Sequence, residues 1–108
     1  MAEKLHIDEE TLTKNIIKVL RKVYDPEIPY NIFDLGLIYN IDREDDGTIV
    51  VTMTLTAPNC PVAGQIVENV EDAVRAVEGV PAARVNLVFD PPWTKDMMTE
   101  AAKLELNL

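Results

Sequence analysis

Cys60 is the only cysteine of the chain, and it stands in the run Thr56-Ala57-Pro58-Asn59-Cys60-Pro61. An apolar periodicity of three- and four-residue steps begins directly after it, so the thiol falls where a helix should start. Free backbone N–H groups and the helix dipole favour an anion at such a place, and therefore a thiolate. Pro58 and Pro61 restrict the backbone on either side and so preset the direction of the sulfur. Two facts oppose activation: the loop holds no lysine or arginine, and the formal net charge of the protein is −9. The same residue reads equally well as a small buried thiol that packs like alanine.

The partners a reactive cysteine usually needs are missing from the sequence. His6 is the only histidine, and it lies in an N-terminal stretch, residues 1–7, that is expected to be flexible. A cysteine protease or acyltransferase pairs its thiol with a positioned histidine. A thioredoxin-like exchanger needs a second thiol in C-x-x-C. A single cysteine cannot close a zinc site or hold an iron–sulfur cluster alone. Metal ligation by Cys60 would have to be shared, with a second chain, a partner protein or a small thiol completing the shell. The chain is therefore expected not to be an enzyme.

Other candidates carry weaker signals. Asp25 and Asp34 bracket a loop with Pro26 and Pro29, which reads either as a docking edge beside the cysteine or as side chains bonding their own turn backbone. Trp93 follows two prolines and suits a core plug or a binding platform. Met97 and Met98 suit packing or an adaptable partner surface.

The elements that must position these residues follow from periodicity. Leu12, Ile16, Val19, Leu20 and Val23 mark one face of a helix from Asp8, its N-cap, to Val23, ended by Asp25-Pro26. Leu37 to Ile41 reads as a strand and Arg43 to Gly47 as a hairpin turn. Ile49, Val51, Met53 and Leu55 alternate with Val50, Thr52, Thr54 and Thr56, as in a half-buried strand. Pro61 suits the first position of a second helix, carried by Val62, Ile66, Val70, Ala73, Val74 and Val77 and ended at Gly79. Val85, Leu87 and Phe89 form a third strand. Thr94 to Leu104 is expected to be a short helix capped by Thr94, with Met97, Met98, Ala101 and Leu104 facing inward.

The order α-β-β-α-β plus a short C-terminal helix makes an α+β two-layer sandwich: a mixed three-stranded sheet with the helices on one face. Residues 1–108 fit a single domain, and 47% hydrophobic residues are ample for a core. No apolar run is long enough for a membrane span, and Met1 to His6 lacks a secretory signal. The acidic balance repels phosphate backbones, so nucleic acid is not an expected partner. A cytoplasmic protein is the simplest reading.

Three segments together resemble a known family. They are Asp25-Pro26-Glu27-Ile28-Pro29 through Asp34-Leu35-Gly36-Leu37-Ile38-Tyr39, then Thr56 to Pro61, then Asp90-Pro91-Pro92-Trp93-Thr94. In this order they are similar to the SufT-like iron–sulfur cluster assembly family, relatives of PaaD and of the eukaryotic cytosolic iron–sulfur targeting factor. The resemblance implies an accessory role in assembling clusters or delivering them to client apoproteins, with Cys60 as the functional thiol. It implies that Asp25, Pro26, Asp34, Thr56, Pro58, Pro61 and Trp93 belong to the signature segments. PaaD-type members carry further cysteines in a C-terminal extension; the present sequence has none, which favours the SufT-like branch. The expected partners are an iron–sulfur scaffold or carrier and client apoproteins, with a homodimer as one way to share a ligand. No cofactor is expected to be stably bound, only a transient iron–sulfur cluster at Cys60. The alternative is a metal-free adaptor that recognises client proteins without touching iron.

Overall fold

Leu12, Ile16 and Leu20 recur at four-residue steps, and in the computed structural model they point into one core cluster from helix α1, Glu9–Leu20. The structure describes residues 9–25, 27–56 and 63–107. Glu9 and Glu10 occupy the first turn of α1 and Lys18 the last, each sign placed to complement the helix dipole. The proposed cap Asp8 lies outside the described residues.

Strand β1, Ile38–Arg43, and strand β2, Ile49–Met53, pair antiparallel, with a register irregularity between Ile38 and Asn40. Helix α2, Ala63–Arg75, leads to strand β3, Ala83–Leu87, which pairs parallel with β2. The sheet is therefore mixed, with order β1-β2-β3. This agrees with the α+β expectation and supplies the strand order that periodicity left open. Ile49, Val51 and Met53 meet Leu12, Ile16 and Leu20 of α1 and Ile66, Val70 and Val74 of α2 in one hydrophobic core. Burial of this apolar face is the main driving force for the two layers.

Strand β2 is buried more completely than alternation implies. Val50, on the other face, is only 9% exposed, between its register partners Asp42 and Arg84. A central strand has neighbours on both sides, and a long side chain beside it covers apolar surface with its stem. Both β1 and β3 are edges. The outward backbone N–H of Val85 on β3 donates to a carboxylate oxygen of Glu71, from α2, at 3.0 Å.

Two expectations at the C-terminal end are corrected. Phe89 is not a strand residue: β3 ends at Leu87, and Phe89 is exposed. The segment 94–104 is not one helix. Lys95–Met97 forms a 3-10 turn, Met98 takes extended backbone, and helix α3 runs Glu100–Leu106. Thr94 makes no side-chain cap, whereas the Thr99 hydroxyl accepts the N–H of Ala102 at 3.2 Å. The break shifts the helical phase, so Met98 and Ala102 are buried while Ala101 and Leu104 face solvent.

Candidate functional site

A single carboxylate oxygen organises the loop after α1. Oδ2 of Asp25 accepts the backbone N–H of Glu27 at 2.9 Å and of Ile28 at 2.8 Å. Asp25 is buried, at 4% exposure. Aspartate does this readily, because its short side chain reaches the donors two and three residues on. The Thr56 hydroxyl approaches the same Oδ2 at 3.5 Å. Thr56 is the last described residue before the segment that carries Cys60.

Asp34 serves a different set of partners. Its Oδ2 accepts from the side-chain amide of Asn31 at 3.0 Å, and its own N–H donates to the Asn31 side-chain oxygen at 2.8 Å. Arg21, directly after α1, brings Nε to 3.5 Å from Asp34 Oδ1 and lays its guanidinium 4.9 Å from the centre of the Phe33 ring. The Asp34 carbonyl accepts the N–H of Thr99, at the start of α3, at 2.9 Å. The two carboxylates therefore do not form a pair: Asp25 faces Thr56, and Asp34 ties the loop to α1 and α3.

The closing segment docks on the residues just after Asp34. The Trp93 indole N–H donates to the Leu35 carbonyl at 2.6 Å, and the half-buried ring packs against the core. Gly36 holds φ +83°, and a Cβ there would lie 2.3 Å from the Met97 carbonyl oxygen. Only glycine allows this backbone conformation and this approach together. The Tyr39 hydroxyl donates to the Pro91 carbonyl at 2.8 Å. Burial and the nearby Asp90 carboxylate raise the Tyr39 pKa, and the Thr54 hydroxyl beside it acts in the opposite direction. Thr54 is itself buried, and its hydroxyl oxygen has no partner in hydrogen-bonding geometry among the described residues.

Thr54, Leu55, Thr56, Phe89, Pro92 and Trp93 line a cleft of about 90 Å³. Residues from three separate stretches of sequence thus converge around Thr56. Of the residues singled out from sequence, Asp25, Thr56 and Trp93 border this region, while Asp34 bonds to Asn31, Arg21 and Thr99 instead. Cys60, Pro26, Pro58, Pro61 and His6 lie outside the described residues. Among the described residues no group of three or more His, Cys, Asp or Glu could hold a metal ion, and no helix is long and apolar enough to cross a membrane. Asn31 is a structural member of the site that the sequence reading does not name, whereas Gly36 and Tyr39 stand in a signature segment without an assigned role. The Asn31-x-x-Asp34 spacing carried the signal for the first, since it matches a side-chain cap to an N–H three residues on.

The chain is similar to known proteins over most of its length. An Fe-S protein maturation auxiliary factor of Porphyromonas gingivalis is 57% identical over 94 residues, covering 87% of this chain and 90% of that protein. The Fe-S protein maturation auxiliary factor YitW of Bacillus subtilis is 42% identical over 93% of this chain and 98% of its own length. A crystal structure of a DUF59 domain from Bacillus anthracis superposes with a TM-score of 0.84 at 37% identity, over 92% of this chain and 94% of that one. The model of the iron-sulfur cluster assembly protein family matches residues 13–87, and the chain belongs to that family.

Proposed function

We propose that this protein is a non-catalytic accessory factor in the cytoplasm that helps deliver iron–sulfur clusters to client apoproteins, with Cys60 as a transient ligand or contact residue. The observation that carries the reading is the convergence around Thr56. Asp25 Oδ2 lies 3.5 Å from the Thr56 hydroxyl, and Trp93 shares a cleft with the same residue. Thr56, which leads into the thiol-bearing segment, thus lies beside two other stretches of the fold. The cluster is cargo. A lone thiolate supplies one ligand, and the others come from the scaffold or carrier, the client, a small thiol or a second copy of the chain. Weak, incomplete ligation suits transfer, because a fully enclosed cluster would not be released.

The test compares wild type with Cys60→Ser in two assays: activation of a client iron–sulfur enzyme, and anaerobic iron and sulfide content after cluster loading. Loss of both is expected. Unchanged values in both would overturn a direct role for the thiol. Client binding by Cys60→Ser together with an iron-free wild type would instead identify a metal-free adaptor.

A further inference from the structure

The charge of this protein is unevenly spread. Four of its ten lysines and arginines, Lys14, Lys18, Arg21 and Lys22, line one groove of about 490 Å³ along α1, with Ile17 and Phe33 as its floor. Lys18 and Lys22 are exposed, and neither forms an ion pair among the described residues. Arg21 is held in place by Asp34 and by the Phe33 ring. Compensation of the helix dipole explains cations in the last turn of α1. Lys14, in mid-helix, pairs with Glu10 one turn earlier at 3.6 Å, but neither effect explains the apolar floor between the cations.

We propose that this groove docks an acidic segment of a partner protein, with carboxylates meeting the four cations and an apolar side chain resting on Ile17 and Phe33. Charge complementarity selects the occupant. Against a net charge of −9, a nucleic acid would meet net repulsion from the molecule. A second copy of the chain would bring the same net charge against it. A partner that is acidic only in the docking segment carries neither penalty. The cations from Lys14 to Lys22 span about 12 Å along the helix direction, which about four residues of extended chain would match. The proposal does not involve Cys60 and holds or fails independently of cluster delivery.

The test uses a short fluorescein-labelled synthetic peptide in which glutamates flank a central Phe-Leu pair, titrated by anisotropy against the full chain. Saturable binding that weakens with added salt is expected, and Lys18→Glu/Lys22→Glu should weaken it about tenfold or more. The milder Lys18→Gln/Lys22→Gln variant should fall between the two. Ile17→Ser should weaken binding with no change of charge. Equal binding by wild type and the charge-reversal variant, or equal binding of a peptide with lysines in place of the glutamates, would overturn the proposal. So would a concentration-dependent dimer in light scattering that the charge reversal abolishes, because the occupant would then be a second copy.

Discussion

The indole N–H of Trp93 reaches the backbone carbonyl of Leu35 at 2.6 Å, across 58 residues of sequence. Trp93→Phe keeps an aromatic body but removes the donor, leaving a carbonyl without its partner. A loss of about 1–2 kcal/mol is expected, at roughly 4–8 °C in Tm per kcal/mol for a domain of this size. Thermal unfolding followed by circular dichroism checks it.

Gly36→Ala should be more damaging. The substitution places an L side chain at φ +83° and drives a methyl group into the Met97 carbonyl. The two penalties together amount to about 3 kcal/mol. Urea unfolding should show a lower midpoint, and amide exchange should quicken first in the 3-10 turn Lys95–Met97.

At Asp25 both backbone donors use the same oxygen. An amide oxygen can accept both, so Asp25→Asn is expected to stay within about 1 kcal/mol of wild type, whereas Asp25→Ala should lose about 1–3 kcal/mol. Chemical denaturation of the two variants side by side separates the acceptor from the charge.

Asp46 gives a pH dependence in the hairpin between β1 and β2. The backbone N–H of Thr48 donates to its carboxylate at 2.9 Å and, with the Thr48 hydroxyl, holds its pKa below the ordinary carboxylate value. A depressed folded-state pKa means that the unfolded chain takes up its proton first as pH falls. The stabilisation is therefore present above about pH 4 and is lost as pH drops through the lower folded value. Wild type should exceed Asp46→Ala in stability at neutral pH by a margin that narrows in acid. Denaturation midpoints across that range measure it.

Much of this fold can be read from apolar spacing alone. Leu12, Ile16 and Leu20, or Ile66, Val70 and Val74, fall on one helical face whatever surrounds them, and all are buried. The C-terminal segment departs from its apolar spacing although Met97, Met98, Ala101 and Leu104 also fit a helical period. The interruption comes from elsewhere in the chain. The Asp34 carbonyl takes the Thr99 N–H, and Gly36 lies against the Met97 carbonyl. No local pattern encodes either contact. The candidate site divides in the same way. The Asp25 turn was legible because aspartate bonds its own neighbours. The separate duties of Asp25 and Asp34 were not, since they depend on Arg21, Thr56 and Thr99 arriving from other elements. Phe89 shows a third case, in which alternation continues past the last residue that has a neighbouring strand to pair with.

The carboxylate that Glu71 places on the Val85 N–H has a consequence for how the molecule behaves in a crowd. A three-stranded sheet with two open margins invites another chain to extend it, and β3 is apolar at Val85 and Leu87. An arriving strand would have to supply a carbonyl where a charged oxygen already sits, and would have to expel that charge into its own ladder. Glu71 therefore occupies a bonding position that a strand added to β3 would need. Replacing it with alanine would vacate that position without touching the core.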